Sequence, residues 1–358
     1  MNILVLTRYS RLGASSRLRS LQYIYALAGP TVKFQVFPLL NDDYLHTIYA
    51  GKKVSLFAIM SAYWNRLKIL QNARNFDVVW MEKELFPNFP CWFEWLLTRF
   101  KVPYVVDYDD AIFHNYDAST NPFLRLLKNK IDKVMLHADL VTVGNSYLEH
   151  RAIKAGSNHV TILPTVIDIR RYQPPLERIN NERLIIGWIG SPSTVKFLQP
   201  LLPVLARLTT IFPLELIVIG AKINAQGYGF IRCVAWDEAT EVEEIGRFDV
   251  GVMPLPDEQW ERGKCAYKLI QYMACGKPVV ASPVGMNVDV VQEGINGLLA
   301  DTDEAWFHAL FHLLTDVGLR QTMGRHGRRL VEDKYCLQVM APKLLQLFEQ
   351  VLSRKRKN

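Results

Sequence analysis

Nowhere in this chain of 358 residues does an apolar stretch approach the ~20 residues needed to cross a bilayer. The opening run "NILVL" meets Arg8 and Arg11 too soon to read as a secretory leader. Cysteine is scarce and unpaired in pattern. Cys91, Cys233, Cys265, Cys275 and Cys336 form no CxxC and no even framework, so reduced thiols in a cytosolic setting are expected. His308 and His312 stand four apart with no third ligand in view, and no metal site is expected there. Short repeats, low-complexity tracts and nucleic-acid-binding signatures are also missing.

What is present is ordinary for a protein with a large core: 49% hydrophobic and 22% charged residues. The net charge of +7, part of it in the tail "SRKRKN", suits an anionic partner such as nucleotide phosphates or an acidic membrane surface. The aromatic segment "FPCWFEWLLTRFK" is interrupted by Glu94. Its length favours a buried helix, with contact to a membrane surface as the alternative.

Strand-like runs ("NILVL", "KFQVF", "DVVWM", "PYVVD", "DLVTVG", "VTILP") alternate with helix-like ones such as "SRLRSLQYIYALA" and "NPFLRLLKNKIDKVMLHA". Alternation of this kind predicts parallel sheets covered by helices on both faces. The polar stretch 170–183, with Pro174-Pro175, reads as a linker. The pattern then restarts with "LIIGWIG", "LELIVIG", "IRCVAW", "DVGVMPL" and "PVVAS". The prediction is an α/β protein with two Rossmann-like doubly wound domains, residues 1–172 and 183–338. Residues 339–358 form a helix and basic tail that pack back on the first domain. Ligands of such folds bind beyond the carboxyl ends of the strands, so a cleft between the domains is the expected site.

The segment "GKCAYKLIQYMACGKPVVAS", Gly263–Ser282, carries the most chemistry. Wound as a helix at about 100° per residue, Lys264, Lys268, Gln271 and Cys275 fall in one narrow stripe. Cys265, Ala266, Leu269, Ile270 and Met273 cover the other side. Gly263 would start the helix and Gly276 stop it. Two lysines on one face near a helix N-terminus suit a diphosphate; a solvated lysine face is the plainer alternative.

The run from Lys268 to Ala300, "KLIQYMACGKPVVASPVGMNVDVVQEGINGLLA", resembles the nucleotide-sugar-binding segment of family-4 glycosyltransferases, which have the GT-B fold. "ILVLTRYSRLGASSRLRSLQY", "ADLVTVGNSYLEHRAIKAGSNHVTILPTVIDIRRY" and "GWIGSPSTVKFL" resemble the corresponding parts of both domains. The resemblance implies a retaining transfer of sugar from a nucleoside-diphosphate donor to a hydroxyl acceptor, with no cofactor and no metal. It also implies a donor site of Gly13, Ser191, Lys196, Val234, Trp236, Lys264, Cys265, Lys268, Gln271, Gly285, Met286, Asn287 and Asp289. Gly13, Ser15, Ser16 and Arg17, with Arg19 behind them, form a loop facing the acceptor or the donor phosphate. Asp109, Asp110 or His114, following Asp107, would orient or deprotonate the acceptor hydroxyl. Glu82 and Lys83 end another strand and carry no assigned role.

The sequence departs from the family at three points. Many members carry two glutamates eight apart where this chain has Gly263 and Gln271. A glutamine still hydrogen-bonds ribose hydroxyls but without charge. Either Lys264 or Glu261 would then reshape the corner left by Gly263. An arginine common in the family is replaced by Ser191, with Lys196 retained. Lys264 and Lys268 would supply the missing charge. Two other readings stay open: a non-catalytic nucleotide-sugar-binding partner of a glycan assembly system, and a sugar-nucleotide 2-epimerase. The expected partners are a nucleotide sugar and a glycan or lipid-linked acceptor, not nucleic acid. The expected setting is cytoplasmic, with peripheral contact at the cytoplasmic membrane face as a further expectation, in surface polysaccharide or glycan biosynthesis.

Overall fold

The computed structural model describes residues 1–173 and 183–357. The linker expected at 170–183 lies mostly outside the described residues. Two compact units emerge: Met1–Thr165 with Met340–Asn358, and Val166–Val339.

The first unit holds one parallel sheet of six strands. They are β1 (Asn2–Leu6), β2 (Lys33–Val36), β3 (Val78–Glu82), β4 (Tyr104–Tyr108), β5 (Leu140–Val143) and β6 (Val160–Ile162). The order is β2-β1-β3-β4-β5-β6. Strands β3 and β4 are buried along their whole length, as a sheet covered on both faces requires. The helix Leu337–Lys357 follows the entire second unit, yet from Met340 onward it belongs to this first one. Its Phe348 ring meets Trp80 of β3 edge-on, centroids 5.3 Å apart.

The second unit repeats the architecture with β7 (Leu184–Ile189), β8 (Leu214–Ile219), β9 (Ile231–Val234), β10 (Val250–Met253), β11 (Val279–Ala281) and β12 (Gly297–Leu299). Here the order is β12-β11-β10-β7-β8-β9. Alternate residues feed two cores. Ile185, Ile189, Ile217 and Ile219 face one, and Ile186, Trp188, Leu216 and Val218 the other. Gly187 and Gly251 let rings lie flat on the sheet, since a Cβ there would sit 2.0 Å from Phe248 and 2.3 Å from Tyr272.

Three expectations need correction. "NPFLRLLKNKIDKVMLHA" is two helices, Pro122–Arg125 and Lys130–Leu136, and Lys130 at the start of the second turns inward to the Glu84 carboxylate and the Phe86 carbonyl. "FPCWFEWLLTRFK" does form a helix, Trp92–Arg99, but its tryptophans face outward, Trp92 65% and Trp95 51% exposed. The buried residue is Glu94, which accepts a hydrogen bond from the Leu85 amide at 2.9 Å. The helix expected from Gly263 starts only at Tyr267, because Ala266 adopts the left-handed conformation (φ 48°). No helix among the described residues is long and apolar enough to cross a membrane.

Candidate functional site

In a doubly wound sheet, the strand order reverses at one point, and the loops there splay apart beyond the strands' carboxyl ends. In the second unit that point lies between β7 and β10, which pair directly. The loop after β7 carries Gly190 and Ser191; the segment after β10 carries Glu261, Lys264 and Lys268.

Lys268 stands at this point. Its ammonium lies 5.3 Å from the Trp188 ring centroid, and a Cβ on Gly190 would come within 2.9 Å of its Cε. The residue at 190 must therefore be small for the lysine stem to pass the β7 loop. Gly220, at φ 84°, closes the same corner: a Cβ there would sit 2.6 Å from the Gly190 carbonyl and 3.2 Å from the Trp236 Cβ. Residues 190, 220, 236 and 268 are thus neighbours. Ser191 is exposed, its hydroxyl 2.8 Å from that of Ser193. Lys196 is exposed on a short 3₁₀ turn, its ammonium 5.0 Å from the Phe197 ring centroid.

Lys264 does not share a helical stripe with Lys268. It lies in irregular chain between the short helix Gln259–Arg262 and the helix beginning at Tyr267. Gly263 caps the end of the former instead of starting the latter. Lys264 reaches over Trp260, 5.6 Å from the ring centroid. Gly285, at φ 54°, fits against this turn, since a Cβ would lie 2.6 Å from the Arg262 carbonyl. Beside the turn, Glu261 is buried, and its Oε2 has no hydrogen-bond partner. Native proteins seldom leave such an atom unpaired. Cys265, Met286 and Asn287 are buried, and the Asn287 amide donates to the Ser282 carbonyl at 2.9 Å. Asp289 is exposed.

The expected polar stripe also fails at Gln271 and Cys275, which both point inward. The Gln271 amide donates to the Tyr172 hydroxyl at 3.0 Å, and that hydroxyl donates to Glu241. The Trp236 indole N–H donates to the other Glu241 oxygen at 2.5 Å. Residue 271 therefore touches Tyr172, which lies far off in sequence and which periodicity had no means to supply. The helix does stop at Gly276 as expected. At φ 68° its N–H bonds to the Met273 carbonyl and that of Lys277 to Tyr272, which together satisfy the last carbonyls.

The first unit has its own reversal, between β1 and β3. Here the sequence reading named the central residue but gave it no role. Lys83 is buried at φ 64°, a left-handed backbone that a side chain seldom adopts without compensation. Its ammonium lies 2.9 Å from Asp109 Oδ1, 3.8 Å from Asp110 Oδ2 and 3.9 Å from Glu82 Oε1, and donates to the Ser15 hydroxyl at 3.2 Å. Burial alone would lower the Lys83 pKa, but Asp109, Asp110 and Glu82 outweigh it and raise it. Burial would raise that of Asp109; Lys83, Arg19 and hydrogen bonds from Ser15 and Lys83 hold it down to about 2. At neutral pH the pair is thus ammonium and carboxylate. Burial raises the Glu82 pKa in spite of Lys83. The only sequence signal for Lys83 was its position directly after a strand.

Other candidates of this unit are already engaged. Ser16 is buried, donating to Glu82 at 2.6 Å and accepting from the Tyr9 amide. Gly13, the cap of the first helix, has ordinary backbone angles; its constraint is proximity, with a Cβ falling 2.4 Å from that of Tyr9. Arg17 donates to the Arg11 carbonyl. Arg19 faces inward, with two bonds to Asp107 at 2.9 and 2.6 Å and one to the Leu163 carbonyl. Asp107 also accepts from Thr142 at 2.6 Å. Arg19 and Asp107 are thus fixed beneath the loops. Both ring nitrogens of His114 have partners, Asp117 at 2.8 Å and the Tyr147 hydroxyl at 2.9 Å.

Known proteins resemble this chain in sequence and in fold. Residues 183–316 match the family described as Glycosyl transferases group 1. A D-inositol 3-phosphate glycosyltransferase of Corynebacterium jeikeium is 27% identical over 254 residues, 61% of this chain. The chain spans 59% of that relative's length. A namesake from Salinispora arenicola is 40% identical over 62 residues, 17% of this chain and 14% of that one. Among solved structures, sucrose-phosphate synthase from Thermosynechococcus elongatus superposes with a TM-score of 0.74 at 16% identity, covering 99% of this chain and 100% of that one. Anabaena Alr3699/HepE, solved in complex with UDP-glucose, superposes at 0.72 with 15% identity, covering 98% and 100%. Residues 183–316 thus resemble the group 1 glycosyl transferases, and the two units have the GT-B fold.

Proposed function

We propose that this protein is a retaining glycosyltransferase that moves a sugar from a nucleoside-diphosphate donor to a hydroxyl acceptor without a metal ion. The observation that carries this reading is Lys268 packed along Gly190 at the point where the second sheet reverses its order. A cation fixed there meets the charge that develops on a departing diphosphate, at no cost of reorganisation. Lys264 and Lys196 add charge from the two flanking loops. The solved HepE complexes with UDP and UDP-glucose make uridine donors the first to try. Asp109, held ionised by Lys83, is the acceptor-side carboxylate. Surface polysaccharide or glycan assembly at the cytoplasmic side is the proposed setting.

Glu261 fills the role that Gly263 leaves empty. Its unpaired buried oxygen is an acceptor in want of a donor, and a sugar hydroxyl supplies one. Glu261→Gln is expected to raise the KM for the sugar nucleotide about tenfold while leaving the Kd of the bare nucleoside diphosphate unchanged. Steady-state kinetics and calorimetry check both halves. Weaker binding of the bare nucleotide would assign Glu261 to the turn and not to the sugar.

The deciding experiment is a thermal-shift screen of UDP-, GDP- and ADP-sugars, followed by turnover with the stabilising donor. Nucleoside diphosphate released only in the presence of an acceptor supports the transferase. Sugar interconversion without acceptor would make the protein a 2-epimerase. The inward-facing Gln271, bonded to Tyr172, favours a second reading, a non-catalytic nucleotide-sugar-binding partner. Binding without turnover over a wide acceptor panel would establish it.

A further inference from the structure

Right-handed crossovers put the connections β2→β3 and β3→β4 on one face of the first sheet, because both steps run in the same direction. The helices of these connections, Leu56–Gln71 and Trp92–Arg99, are neighbours there. Tyr63 of the first donates to the Pro87 carbonyl at 2.8 Å, and its ring meets Phe86 and Phe89, centroids 5.4 and 5.6 Å away.

The outer side of this pair is apolar. Leu56, Phe57, Met60 and Trp64 fall within an arc of about 100° on the first helix, and all four are exposed, Phe57 by 81%. Trp92 and Trp95, one turn apart on the second helix, are exposed as well. Large side chains are rarely left together in water without a partner.

Charge along the two segments is almost wholly positive. From Lys52 to Phe76 there is no acidic residue, and from Leu85 to Pro103 only Glu94, which is buried. Lys52, Lys53, Lys68 and Arg74 are exposed in the first stretch, and Arg99 and Lys101 in the second. Tryptophan and phenylalanine bordered by lysine and arginine match the boundary between acyl chains and anionic headgroups. A second copy of the chain would bring these like charges together. A nucleic acid would answer the charge but leave four aliphatic and aromatic side chains of one helix face wet.

We propose that the face formed by helices Leu56–Gln71 and Trp92–Arg99 docks the protein on an anionic phospholipid surface, with Phe57 and Trp64 inserted and the surrounding lysines and arginines on the headgroups. This does not depend on the activity proposed above.

The test is flotation of the full chain with vesicles of phosphatidylcholine alone or mixed with phosphatidylglycerol. Binding to the mixed vesicles, weakened by salt, is expected. Phe57→Ser with Trp64→Ser is expected to lower the partition coefficient by more than about tenfold, and Lys52→Gln with Lys53→Gln to lower it and flatten the salt dependence. The second pair keeps the test decisive if the first does not fold. The inference is overturned by equal or no binding to both vesicle types, or by binding that ignores both pairs of substitutions. Concentration-dependent dimers that block flotation overturn it too. So does an RNA homopolymer that binds tightly and is unaffected by the apolar pair.

Discussion

Lys268→Ala is expected to cut acceptor-dependent turnover by about 10²–10³-fold, with a smaller loss of donor affinity. The asymmetry follows from where charge changes. In the bound donor the diphosphate charge is shared with the sugar linkage; as the bond breaks, the full charge falls on the leaving oxygen, and a fixed cation is worth most at that moment. Lys268 is fixed: its stem passes Gly190 and its ammonium lies over Trp188. Lys264 and Lys196 stand on irregular and 3₁₀ chain, so replacing either should cost less. Single-turnover rates with saturating donor, measured beside donor Kd, separate the two effects. Equal turnover in wild type and Lys268→Ala would remove this lysine from the reaction.

The largest effect on stability is expected from Asp107→Ala. It strips a buried guanidinium of two charge-assisted hydrogen bonds and leaves Thr142 without its acceptor. Breaking one side of a buried pair typically costs about 3–5 kcal/mol, since the remaining charge stays desolvated. For a unit of this size that amounts to a drop in Tm of roughly 6–20 °C. Arg19→Met combined with Asp107→Leu is expected to recover most of the loss, because no charge is then stranded. Calorimetry of the three variants decides it. A single variant as stable as wild type would show that Arg19 finds solvent or another acceptor once Asp107 is gone.

The same pair shows what the sequence could and could not tell. Strand positions and the parallel, doubly wound class followed from short apolar runs separated by helix-sized spacing, a local and periodic signal. The Asp107-x-Asp109 spacing carried no such guarantee. Asp107 lies within β4 and Asp109 just beyond it, yet one is consumed by Arg19 beneath the loops and the other is held by Lys83. The difference lies in partners 88 and 26 positions away, read from the numbers 19, 83, 107 and 109. Gln271 repeats the lesson. Helical angles grouped it with the lysines, but a single left-handed residue, Ala266, separated Lys264 from the helix, and Tyr172 drew the glutamine inward. Lys83 was hardest to foresee, because its importance rests on a backbone conformation and on three carboxylates gathered from two strand ends.

The helix Leu337–Lys357 gives the first unit an unusual history. Its sheet is complete in sequence by Ile162, but Phe348, which packs on Trp80, is made only after the whole second unit has been synthesised. On the ribosome the nascent first sheet therefore waits with Trp80 uncovered while the later sheet is free to fold, reversing the usual order in which the N-terminal domain finishes first. Chaperone capture during synthesis should accordingly concentrate on the earlier half of the chain, and end when its last helix arrives.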